Sequence, residues 1–484
     1  MNFGPETRSA DGVSMRDTVN LSEPARSSAW QYTGTRKRVE KLSPSYPAVA
    51  GRGMQAAVAA LFWLLAAGAW GLQSDLERQL QDPSPRERER AARALGEQGN
   101  PSYVPALAGL VQDSDERVRM TVVRSLIRLG SPASLAPLAL ALRDGLPEIR
   151  YLAMDGIINF YLPGYVETGF GGFFRSVTSR VENLFTDVDT VVADPDVKVD
   201  PAVVRILRQT VTGAPDMNTR ARAARALGIL RVQEAVPDLV EAAFGDNVDL
   251  IIEVLRAFQK IRDTSVGPRI TFLLMYPQKE VQRSAALTLG LLRTEGAIGD
   301  LRLALEASDD PDVRTAMLDA LAFMPQAATA PLFLGHLSDR DRRLRGPAAL
   351  GLGRLKDPQY VGHLEQAYQG ERDGGVRLAL AFALASHGRL EYLNELVENL
   401  RSRTRRGEAR PYLIELARER PVREALYAHL YSRDAEIRKN LCMVFGASGD
   451  SASVAQLDNL LRDRDPEVAL EASRALRILR SRGL

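Results

Sequence analysis

Four histidines and one cysteine are the residues here best suited to metal binding or nucleophilic catalysis. His336, His363, His387 and His429 lack the H-x-x-x-H or H-E-x-x-H spacing that sets two imidazoles on one helix face over zinc. Cys442 falls on the apolar side of a helical stretch and reads as a small core residue. A single cysteine excludes an internal disulfide and any cysteine-rich zinc site. The chain has no G-x-S-x-G nucleophile turn and no G-x-x-x-x-G-K phosphate loop. Nothing in the spacing implies a catalytic residue, a metal or a cofactor.

Arginine offers a different chemistry. The stretch RSRTRRGEARPYLIELARERPVRE, residues 401–424, holds eight arginines against four acids. Arg401, Arg403, Arg405 and Arg406 could form a polyanion patch gripping phosphate or a nucleic-acid backbone. No regular aromatic interleaving supports base stacking, and a net charge of +2 gives no general pull toward nucleic acid. A solvated basic loop is the competing reading.

A 484-residue chain is too long for one compact core, which leaves several domains or an elongated array. The array is visible in the sequence. Arg119 is followed by Val123 and Leu126, and the phrase returns at Arg88, Arg150, Arg220, Ile251, Gln282, Arg314, Arg345, Arg377, Arg438 and Ala469. Neighbouring markers are mostly 31 or 32 residues apart, with a degenerate copy near Arg410. A fixed period of this size predicts a solenoid of stacked units. Each unit predicts two helices. The first opens on aspartate, as in DSDERVR and DDPDVR, and stops at glycine, as in ALGEQG and IRLG. The second carries a proline near its start, at Pro105, Pro137, Pro237, Pro268 and Pro331. Arg119 is therefore one rung of a ladder, its expected mate an aspartate of the adjacent unit. Arg124 is not repeated and reads as solvated.

These residues resemble the short HEAT-like repeats of phycobilisome lyases, with the pattern D-x-x-x-V-R-x-x-A-x-x-A-L-G…P-x-L over residues 82 to 484. The resemblance implies an all-α fold, a right-handed α-solenoid of about twelve two-helix repeats. It does not by itself imply lyase activity. HEAT-repeat di-iron hydroxylases use His-Glu pairs, and no histidine here precedes a glutamate.

Two segments break the pattern. Residues 162–199 form an insertion with a Gly- and Phe-rich loop, then an amphipathic stretch, then an acid-rich tail. Phe170, Phe173 and Phe174 are candidate partner contacts there. The alternatives are a helix covering one end of the groove, a lid, or insertion into a membrane interface. The other break is the basic stretch 401–424 described above. Ahead of the repeats, residues 1–53 are rich in Ser, Gly, Pro and Arg and are expected to be disordered. Residues 54–73 contain the unbroken apolar run Ala56 to Leu72, which resembles a signal peptide or membrane anchor and predicts an exported solenoid over 75–484. A packed, Ala-rich helix of a cytoplasmic protein is the alternative.

The reading is a non-catalytic scaffold presenting a curved helical surface to another, extended protein, with Tyr368, Tyr392 and Tyr427 as candidate anchors. The alternative is an accessory or enzymatic subunit, lyase-like or polyanion-binding, with its site at 162–199.

Overall fold

The computed structural model describes residues 75–165, 192–193 and 197–484. Contacts divide the chain into two units, Met1–Gly68 and Ala69–Leu484, and every described residue belongs to the second. The segments 1–53 and 54–73, and Phe170, Phe173 and Phe174 with the rest of 166–191, lie outside the described residues.

Every regular element among the described residues is helical. Twelve first helices follow in order: Pro85–Glu97, Glu116–Leu129, Pro147–Tyr161, Met217–Ile229, Val248–Ile261, Lys279–Leu291, Pro311–Phe323, Arg342–Leu355, Gly374–Ser386, Arg406–Leu416, Ala435–Ser448 and Pro466–Ser481. They define repeats 1 to 12. Repeats 1 to 11 add a second helix, and repeat 12 stops after its first. The fold is an all-α solenoid. The degenerate copy is Arg406–Leu416, where the marker position is the buried Ala409.

Local chemistry sets the helix ends. The carboxylates of Asp115, Asp310, Asp373 and Asp434 each accept two N–H groups of the first turn, satisfying donors that have no partner inside a helix. Most second helices begin as a 3₁₀ turn, and in several of them proline occupies the first turn where no N–H is needed. The stop is more varied than the sequence implies. Gly99, Gly130 and Gly388 take the left-handed conformation, but at the same position Arg231, Arg262, Arg293 and Lys356 take it too, with φ between 51° and 64°. A positive charge there meets the negative end of the helix dipole and offsets part of the steric cost.

A second glycine, three residues earlier, has another task. A Cβ on Gly228 would lie 2.6 Å from Ala257 Cα, and one on Gly353 would lie 2.6 Å from Ala383 Cα. The glycine at this position thus lets one first helix press its backbone against the next. Leucine, isoleucine and alanine fill the space behind, with Leu95, Leu126, Ile157, Leu227 and Leu255 fully buried. Burying such side chains supplies about 1.5–3 kcal/mol each, so stability accrues repeat by repeat.

The described edges of the insertion are tied to the stack. Ala193 donates its N–H to Ile229 O at 2.8 Å, and Tyr161 Oη accepts the Asp200 N–H at 2.9 Å. Pro201–Gly213 then serves as the second helix of repeat 3.

Candidate functional site

The arginine markers form a ladder of shared geometry. Arg88 Nη1 donates to Asp82 O, six residues back, at 2.8 Å, while Nε and Nη2 fork onto the Asp113 carboxylate, both at 2.8 Å. Arg119 repeats this with Asp113 O and Asp144. Arg150 repeats it with Asp144 O, Thr219 and Asp216. Arg345 grips Glu371, and Arg438 grips Asp463. Each carboxylate belongs to the loop leading into the next repeat, and paired forks of this kind are the strongest hydrogen bonds a protein makes. Burial opposes it, yet the Thr219 hydroxyl and N–H and the Arg150 guanidinium hold the Asp216 carboxyl down at about 2.

The expected aspartate mates hold at Arg88, Arg119, Arg150 and Arg438, with glutamate replacing aspartate at Arg345. Arg377 instead donates to Tyr368 O and meets Glu395 in the second helix of its own repeat. Two further rungs differ. Arg220 donates to Ala214 O, and Arg314 to Leu305 O. The position 25 residues beyond Arg220 is Gly245, which offers no carboxylate. Beyond Arg314 it is Asp339, whose carboxylate meets His336 Nδ1 at 3.0 Å. Arg423, in the second helix of repeat 10, makes an extra rung with Ala417 O and Asp450.

The second helices carry a different feature. The rings of Phe244 and Phe272 stack at 4.9 Å with planes 4° apart. They are 62% and 42% exposed, and Met275 and Leu303 on the same row of helices are 63% and 64% exposed. These four come from repeats 4, 5 and 6, the stretch where the ladder positions are Arg220, Ile251 and Gln282. Large apolar side chains left together in water mark interaction sites.

The first helices carry two polar groups. In repeats 3 to 5, Arg225 forks onto Glu253 at 3.0 and 2.6 Å, Arg256 joins it at 2.7 Å, and the Arg222 guanidinium lies 4.3 Å over the Tyr151 ring and 3.8 Å from Asp155. Burial pushes the Asp155 carboxyl up. In repeats 7 to 10, Arg354 forks onto Glu415 at 2.8 Å twice, donates to Ala322 O at 3.1 Å, and lies over Phe323 and Phe382. Asp319 and Tyr412 stand beside it.

Models of HEAT repeats match residues 74–157 and 300–385, and that of the PBS lyase HEAT-like repeat matches residues 219–245. The chain carries HEAT repeats. No curated protein matches it. The matches fall on the regular repeats, and the HEAT pattern accounts for the ladder and the helix caps. Left unexplained are the exposed Phe244–Phe272 pair and the group around Asp319.

The sequence candidates find other work within the HEAT units. Tyr368 donates its hydroxyl to Glu395 at 2.9 Å, packs edge-on to Tyr392 at 4.8 Å, and lies 4.1 Å under the Arg377 guanidinium. Tyr427 pairs with the Ser453 hydroxyl at 3.0 Å and packs near Phe445. Neighbours therefore occupy all three tyrosines. The basic patch is spread out. Arg401 meets Glu398, Arg406 meets Glu436, and the Arg405 guanidinium lies against Gly374, where a Cβ would collide with it; Arg403 is exposed. Among the described residues no group of His, Cys, Asp and Glu could hold a metal ion, and no helix is long and apolar enough to cross a membrane. Cys442 is buried, and desolvation pushes its thiol to about 12.

Proposed function

We propose that this chain is a non-catalytic scaffold that holds a partner protein on its second-helix row, with the Phe244–Phe272 pair as the anchor. The stacked, exposed rings carry this reading. Aromatic side chains are the residues most often central to protein interfaces, and this pair leaves much apolar area in contact with water for nothing inside the described repeats. The rigid stack beneath fixes the rings before binding, which lowers the ordering cost of association. Its workplace follows from residues 54–73: the apolar run would direct the solenoid out of the cytoplasm.

A photo-crosslinking residue at Phe244 in the native host tests the anchor. The expected result is one dominant crosslinked protein that disappears in the Phe272→Ala variant and is missing when the crosslinker replaces the exposed Arg124. Equal products at both positions would overturn it. N-terminal mass spectrometry of fractionated cells tests the location: a mature end near Trp70 or Leu72 in the exported fraction is expected, and an intact end in the cytoplasm would refute export.

A further inference from the structure

One rung of the ladder has its arginine and its backbone but no mate. In the complete rungs three donors hold each carboxylate: Nε and Nη2 of the arginine, and the backbone N–H two residues beyond the mate. Asp113 accepts from Arg88 and from the Asp115 N–H at 2.9 Å, Asp144 from Arg119 and the Leu146 N–H at 2.9 Å, and Asp463 from Arg438 and the Asp465 N–H at 2.9 Å. Each of these mates donates its own N–H to the carbonyl three residues back, at 3.1 Å. Gly245 makes the same bond, to Ala242 O at 3.4 Å, so it stands where the mate of Arg220 belongs. A Cβ built there meets only Ala242 O, at 3.4 Å, an ordinary contact. The position lacks a side chain but not the room for one.

That room is a cavity of about 120 Å³, lined in part by Met217, Arg220, Glu241, Gly245, Asp246 and Asn247. It is large enough for a carboxylate group. Arg220 Nε donates to Ala214 O at 2.7 Å, and among the described residues Nη1, Nη2 and the Asn247 N–H make no hydrogen bond. The donors that hold a carboxylate in the other rungs are thus unspent here, and both residues that carry them line the cavity.

We propose that this cavity is a subsite for an aspartate or glutamate side chain of the partner protein. It rests on the Phe244–Phe272 anchor: Phe244 directly precedes Gly245, so a partner chain lying on the rings passes the cavity. The incoming carboxylate takes the two Nη groups of Arg220 as a fork and the Asn247 N–H as its third donor, the number that Asp113 has. Glu241 and Asp246, both exposed, line the cavity without pairing with Arg220. Their repulsion selects a carboxylate over a phosphate, which brings more negative charge to the same place.

The test uses the full chain with ¹⁵N-labelled asparagine and reads the Asn247 backbone amide, assigned by Asn247→Ser, which keeps a capping side chain. The probes are N-acetyl-aspartate methylamide and its asparagine and phosphoserine counterparts. The aspartate probe is expected to move the signal saturably, and Arg220→Gln to weaken binding about tenfold, the loss of a charge-assisted bond. Gly245→Asp supplies the mate from within, and is expected to abolish binding and slow amide exchange in residues 217–261 severalfold. A signal that does not move, that moves equally with the asparagine probe, or that still moves fully in Gly245→Asp would overturn the subsite. Tighter binding of the phosphoserine probe would overturn the choice of carboxylate. The probes need no partner, so the subsite is tested even where the anchor fails. Crosslinking from Phe244 then identifies the owner of the carboxylate: the product is expected to fall severalfold in Gly245→Asp, and a product unchanged there would overturn its assignment to that partner.

Discussion

Repeats 1 to 3 and repeats 4 to 7 share a backbone plan but join their neighbours differently. In the first group Arg88, Asp113, Arg119, Asp144, Arg150 and Asp216 form a chain of charged bonds from loop to loop. In the second the same positions read Arg220, Ile251, Gln282 and Arg314. Gln282 keeps only the neutral bond to Tyr276 O at 2.7 Å, and Ile251 is simply buried. The exposed Phe244, Phe272, Met275 and Leu303 all lie in the second group. The lesson is that apolar packing suffices to stack these units. The ionic ladder is an addition, and its carboxylate mates lapse in the stretch that exposes Phe244 and Phe272.

The comparison can be broken most sharply at Asp144. Asp144→Ala leaves the Arg119 guanidinium part-buried and unpaired, and should cost about 3 kcal/mol. Gln282→Ala should cost only about 1 kcal/mol. Hydrogen exchange read peptide by peptide checks both, because repeat arrays open locally. Equal losses would mean that the ladder contributes nothing special.

Gly353→Ala tests the part that both groups share. The added methyl meets Ala383 backbone, and overpacking of this kind costs about 1–3 kcal/mol. Urea unfolding followed by circular dichroism would show it, with repeats 8 and 9 opening first.

Asp319→Asn should act in the opposite direction. The folded-state value of about 7 lies above the ordinary value of 3.8. Asp319 therefore leaves the fold untroubled below about pH 4, erodes stability between about pH 4 and 7, and costs a constant amount above. The variant should be roughly 1–2 kcal/mol more stable at pH 8 and unchanged at pH 4, as thermal melts at the two pH values would reveal. Asp216 runs the other way: with its carboxyl held at about 2, its contribution is present above about pH 4 and fades as pH falls toward 2. The smallest effect is expected at Arg293, where φ is 51°. Arg293→Gly should stabilise repeat 6 by about 1 kcal/mol, seen as slower local exchange.

Much of the fold was legible because its causes are local and repeat. Aspartate caps, first-turn prolines and the marker arginines recur at the period of 31 or 32 residues, though not in every unit, and even the mate of Arg119 could be placed in the adjacent unit. The surfaces were harder to see. Phe244 follows a second helix and Phe272 sits in a 3₁₀ turn, so no helical period marks either as exposed. Tyr368, Tyr392 and Tyr427 have the residue type of anchors, but type does not reveal that a neighbour already holds them. The Arg354–Glu415 fork and the Phe382–Tyr412 contact form only through the stacking of first helices from separate repeats, a relation that no window along the chain contains. The two roles of glycine also look alike in sequence: one ends a helix, the other lets two helices touch.

The backbone-on-backbone seam has a consequence for descent. Several first helices offer a glycine to a small residue of the next, as Gly228 does to Ala257 and Gly353 to Ala383. A tandem copy of the 31 residues from Arg220 to Leu250 would set Gly228 of one copy against Ala226 of the next, again small against small. Copying errors in whole periods would then leave a foldable product, and the number of units becomes something a lineage can lengthen or shorten while each surviving surface keeps its own chemistry.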